Sequence, residues 1–109
     1  MSAGAIFQEA LRVLRRSALP AVCEGDLYAA LEAARPGPLM LLYEAGHEAG
    51  LAVPTLLARA VAIYFGFAAG NLADDLADGD CDYLADPLRL APGTQYVLQS
   101  LCFAELASS

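Results

Sequence analysis

One segment decides what this chain can fold into. From Thr55 to about Asp75 the sequence is nearly continuous apolar, and Pro54 stands where a helix would start. A helix that is apolar all round is buried at the centre of a bundle or lies in a membrane. Leu51 to Ala73 is long enough to span a bilayer. Against that, Arg59 and Asn71 interrupt the run, and its nearest flanks are acidic, without a positive-inside signal. The segment therefore reads as the central helix of a soluble bundle, with no membrane partner expected.

The rest of the chain reads as shorter helices packed around it. Ala5 to Leu19 has an approximately helical apolar period through Ile6, Leu11, Val13, Leu14 and Leu19, with Arg12, Arg15 and Arg16 solvated and Pro20 as the stop. Asp26 is placed to cap a short helix ending at Ala34. Arg35-Pro36-Gly37-Pro38 breaks the chain, and a helix from Leu39 to Ala49 follows, closed by Gly50. Tyr83 to Gly93, with Pro87 and Pro92, reads as a loop, and Thr94 as the cap of a last helix from Gln95 to Ala107. The expectation is one domain over residues 1–109, an all-α helical bundle of five to six helices.

Composition narrows the function. At 58% apolar the chain has ample surface to bury, and some of it suggests cover from outside the chain. A net charge of -7, with no lysine and only six arginines, leaves no basic surface to follow a phosphate backbone, so no nucleic-acid partner is expected. Cys23, Cys81 and Cys102 are odd in number and lack CxxC spacing, which supports neither a zinc knuckle nor a disulfide framework. The N-terminus does not read as a signal peptide, so a cytoplasmic location is the default expectation.

The chemistry is concentrated at the end of the apolar helix. Asp74, Asp75, Asp78, Asp80 and Asp82 put five carboxylates within nine residues. Asp74 and Asp78 are spaced i,i+4 and share a helix face, with Asp75 beside them. Like charges at that spacing repel, and the C-terminal end of a helix already carries partial negative charge. A positive group should be close, and the chain offers few cationic side chains. Mg²⁺ fits, because it takes oxygen ligands and bridges one or two carboxylates to substrate phosphates. The stretch lacks the register of an EF-hand loop.

Asp74-Asp75-Leu76-Ala77-Asp78, after a long apolar helix, resembles the first aspartate-rich DDxxD motif of the trans-isoprenyl diphosphate synthase (polyprenyl synthetase) family. Arg35-Pro36 followed by an aliphatic helix, with Tyr28 before it, resembles the family pattern two elements earlier. The resemblance implies an all-helical isoprenoid-synthase bundle in which Asp74, Asp75 and Asp78 hold Mg²⁺ on the diphosphate of an allylic prenyl diphosphate. It implies that Phe65, Gly66, Ala69 and Gly70 line the prenyl pocket, and that Arg35 and Arg89 are the cations left for substrate. The chain is about half the family's length, lacks a second aspartate motif, and has Glu32-Ala33-Ala34 before Arg35 where the family has Gly-Lys-Arg. A second subunit or a complementary chain would then complete the site.

Two other readings compete. The chain could keep the isoprenoid-synthase shape as a non-catalytic interaction or oligomerisation module. Glu44-x-x-His47 with Glu48 has the spacing of a di-iron carboxylate bundle, but such a centre needs a second His and further glutamates, for which Glu24 and Glu32 are the candidates. Nothing points to a catalytic nucleophile: there is one His, and no serine elbow or Cys–His pairing.

Overall fold

The described residues of the computed structural model, 2–17 and 21–108 (the side chains of 21–24 and 38 excepted), form an all-α bundle. Its elements are α1 (Ala3–Arg16), α2 (Ala21–Ala34), a 3₁₀ turn (Gly37–Leu39), α3 (Met40–Glu48), α4 (Val53–Asp78) and α5 (Pro87–Ser108), with no strand among these residues. The apolar segment is α4, and it touches every other helix, α5 most extensively. Pro54 lies in its first turn, where a missing N–H costs nothing. Leu56, Val61, Tyr64, Phe65, Ala68, Ala69 and Leu72 of α4 are all buried. All of these but Leu56 meet Ile6, Ala10 and Val13 of α1, Leu27 and Leu31 of α2, and Ala91 and Leu98 of α5 in one core.

Small residues set how closely the helices approach. A Cβ at Gly66 of α4 would lie 3.1 Å from the Cys102 sulfur of α5, so the glycine lets the α4–α5 hairpin close. At the other end of the bundle Gly50 takes φ 87 directly after α3, and the N–H groups of Gly50 and Leu51 bond back to the carbonyls of His47 and Gly46. That double bond is the Schellman arrangement expected of a glycine stop. α4 is the one helix among the described residues long and apolar enough to cross a membrane, and half of its most apolar window is buried inside the bundle.

Three boundaries differ from the sequence reading. α1 stops at Arg16, where Ser17 turns extended and its hydroxyl donates to the Val13 carbonyl at 2.8 Å; Leu19 and Pro20 lie outside the described residues. Asp26 is not a cap, because α2 starts at Ala21 and runs through Gly25 and Asp26. A helix-interior glycine costs only about 1 kcal/mol, and burial of Leu27, Ala30, Leu31 and Ala34 offsets it. α5 begins at Pro87 and passes through Pro92, leaving Thr94 buried inside the helix instead of capping it. Pro92 and Leu88, four residues before it, are both exposed, so the carbonyl freed by the proline lies on the solvent side.

Tyr64 ties α4 to α2. Its ring is fully buried against Phe7, and its hydroxyl donates to the Leu31 carbonyl. Burial first, and the Glu32 carboxylate second, hold the hydroxyl above its ordinary value of 10.0. Since the Leu31 carbonyl also accepts from the Arg35 N–H at 3.2 Å, Tyr64→Phe is expected to cost about 1 kcal/mol at neutral pH. The raised value makes the hydroxyl's contribution complete below pH 10.0 and lost as the pH rises beyond it. Urea unfolding from pH 7 to 11 should therefore show a smaller alkaline loss in the variant than in the wild type.

Candidate metal and diphosphate site

The three motif aspartates occupy the last turn of α4, and the helix ends immediately after them. Gly79 takes φ 76; its N–H bonds to the Leu76 carbonyl at 3.3 Å, and the Asp80 N–H bonds to the Asp75 carbonyl at 2.8 Å. The backbone thus satisfies two of the last four carbonyls itself, which matters because three carboxylates here oppose the helix dipole. Asp74 and Asp78 point into solvent, whereas Asp75 is half-buried. Asp75 Oδ2 accepts from Asn71 Nδ2 at 3.1 Å and from the Tyr83 hydroxyl at 2.8 Å. Asp75 Oδ1 has no hydrogen bond among the described residues.

The segment after the helix is anchored by Cys81 and Leu84, both buried. Burial pushes the Cys81 thiol above its ordinary value; a hydrogen bond with Tyr83 opposes this, and the Asp75, Asp82 and Asp26 carboxylates add to it. The thiol is therefore protonated and a poor nucleophile. Tyr83 also titrates above its ordinary value, through burial first and then its hydrogen bond to Asp75. Cys81 and Cys102 are both free, and the side chain of Cys23 lies outside the described residues.

Arg35 ends α2 in the left-handed region, φ 59, and is exposed. It lines an open cleft of about 490 Å³ with Tyr28, Ala29, Glu32, Ala33 and Tyr83. Tyr83 consequently joins Arg35's cleft to Asp75. Arg89 stands exposed on the first turn of α5. The four residues read as prenyl-pocket lining do not share a face: Phe65 and Ala69 are buried in the core, Gly66 meets Cys102, and Gly70 is exposed, with nothing within 4 Å of where its Cβ would be.

Among the described residues no three His, Cys, Asp or Glu side chains converge to hold a metal. Glu44, His47 and Glu48 line a surface cleft, with His47 stacked on Tyr43 at 6.5 Å, and belong to no such group; Glu32 lines the Arg35 cleft, and the Glu24 side chain lies outside the described residues. Mg²⁺ does not require a closed cage, since one or two carboxylates with phosphate oxygens and water suffice. Asp74 and Asp78, both exposed and one helical turn apart, are the carboxylates that would hold it.

Sequence reasoning missed Tyr83, which it placed in a loop without a role. Nothing in the spacing marks it, because its partner Asp75 lies across a turn. The Asn71–Asp75 bond was accessible, being an i,i+4 pair on a helix. Comparison of the chain with protein-family models, curated proteins and solved structures finds no match.

Tyr83→Phe should remove the bond to Asp75 and lower stability at neutral pH by about 1 kcal/mol, discounted because both groups are partly exposed. The tyrosine's contribution is complete below pH 10.0 and fades above it, so the variant should also lose less stability between pH 10 and 11. A chemical-denaturation series across that range checks both.

Proposed function

We propose that this chain is an isoprenoid-synthase-like protein, one half of a composite site, which binds Mg²⁺ and an allylic prenyl diphosphate at the end of α4. One observation carries the reading. A single face of α4 bears exposed Ile63, Phe67 and Gly70 and then the exposed carboxylates Asp74 and Asp78. These positions advance by three or four residues and so lie in one stripe. An apolar tail and a metal-bound diphosphate head need the same two features in the same order.

In this reading Asp74 and Asp78, with Asp75 behind them, hold Mg²⁺ against the diphosphate. The metal supplies charge withdrawal from the departing diphosphate. Asp75's bonds to Asn71 and Tyr83 fix its rotamer so that one oxygen stays available. Arg35 offers a guanidinium in the cleft beside Tyr83, suited to a second phosphate group. The opposite wall of the tail site comes from a second copy or a complementary subunit.

The second reading is a non-catalytic interaction module of the same shape. It draws on Asp75 being engaged inside the chain and on the amount of apolar surface left uncovered, including Leu41 and Leu42 on α3 and Tyr96 and Phe103 on α5.

Thermal unfolding with Mg²⁺ and geranyl diphosphate separates the two. A ligand at 100 times its dissociation constant stabilises the native state by about 2.7 kcal/mol, a rise in melting temperature of about 10 °C or more for a domain of this size. The metal-site reading expects that rise in the wild type and its loss in Asp74→Ala/Asp78→Ala. No rise at millimolar Mg²⁺ and diphosphate leaves the module reading standing.

A further inference from the structure

The uncovered stripe of α4 is apolar in the middle and oppositely charged at its ends. Arg59 lies at the start, Ile63, Phe67 and Gly70 in the middle, and Asp74 at the end; all five are exposed. The one ion pair among the described residues joins Arg12 to Glu9. Arg59 and Asp74 have no charged partner there. Arg59 and Ile63 also line a 150 Å³ cleft whose other wall is Leu42 and Leu51, so the apolar surface continues sideways onto α3.

We infer that a second copy of this chain covers this face, the two α4 helices packing antiparallel about a two-fold axis between Gly66 and Phe67, with Arg59 of each copy against Asp74 of the other. Positions 59 and 74 are equidistant from that point, each about 11 Å along the axis. Antiparallel packing therefore brings them level. The same register sets Ile63 against the second copy's Gly70, where a Cβ would have nothing within 4 Å in its own chain, and brings the two Phe67 rings together at the axis. Parallel packing would stack Arg59 on Arg59 and Asp74 on Asp74, so charge selects the antiparallel form. The surface is self-complementary, as a closed two-fold dimer requires.

The pairing stands on the charges and the stripe alone. One consequence rests on the proposed function: the second copy's Arg59 becomes the cation beside Asp74 and Asp78. The seam between the two faces is then where the ligand's tail lies.

The test is sedimentation equilibrium in EDTA, with circular dichroism as the check on folding. The wild type is expected to be a dimer at micromolar concentration. Arg59→Asp and Asp74→Arg each turn two attractions into two repulsions and should raise the dissociation constant by about tenfold or more. Arg59→Asp/Asp74→Arg restores opposite charges and should recover most of the affinity. Phe67→Arg places two like charges at the axis and should give a monomer. A monomeric wild type overturns the pairing, as does a double variant no tighter than the single ones. Binding to phosphatidylcholine vesicles with no dimer in buffer assigns the face to a membrane and overturns it too. A charge-swap rescue without any Mg²⁺–geranyl diphosphate response keeps the pairing and removes the ligand site. A ligand response from a monomer does the reverse.

Discussion

Everything in this bundle depends on covering α4. A helix of 26 residues with Leu, Phe, Tyr, Val and Ala on most of its circumference cannot stand in water alone. α1, α2, α3 and α5 each lay an apolar stripe on it, and the alanines of α4 let them come close. Four helices around one still leave a sector open. The residues there, Ile63, Phe67 and Gly70, are apolar or small. Part of the chain's uncovered apolar surface thus lies on α4 itself, and more of it on α3 and α5, at Leu41, Leu42, Tyr96 and Phe103.

The same helix carries an electrostatic conflict at its far end. Asp74, Asp75 and Asp78 sit where the helix dipole is negative and where they repel one another. The chain relieves part of this internally. Gly79 and Asp80 satisfy the Leu76 and Asp75 carbonyls through their N–H groups, while Asn71 and Tyr83 donate to Asp75. Asp74 and Asp78 have no such donors among the described residues. Both are exposed, so water solvates them, and a cation or a cationic side chain from outside would relieve the remaining repulsion.

Most of the fold was legible because it follows from periodicity and punctuation. The apolar run, Pro54, the Arg35–Pro38 break and Gly50 mark α4, the end of α2 and the end of α3. The errors came from reading polar and proline residues as local signals when packing decided the outcome. Asp26 looks like a cap, but burial of Leu27 and Leu31 carries α2 past it. Pro92 looks like a helix breaker, but it falls where its lost bond faces water. At the site, the aspartates and their helix were legible from spacing. The anchoring by Tyr83 was not, since it depends on how the chain turns after Gly79.

Helical geometry explains why three neighbouring aspartates divide into two roles. Adjacent residues are turned by about 100°, so Asp74 and Asp75 cannot face the same way, whereas Asp74 and Asp78 differ by only about 40°. If Asp74 and Asp78 look outward, Asp75 must look toward the bundle's edge, where Asn71 and Tyr83 meet it. A carboxylate held in that position is costly unless hydrogen-bonded. Once bonded, it fixes the end of α4 and the chain beyond it. The inward aspartate therefore keeps the outward pair at the end of an ordered helix, in line with the apolar stripe that leads to them. Anchoring of the helix end thus falls to Asp75, through Asn71 and Tyr83, and leaves the Asp74 and Asp78 carboxylates free of hydrogen bonds among the described residues.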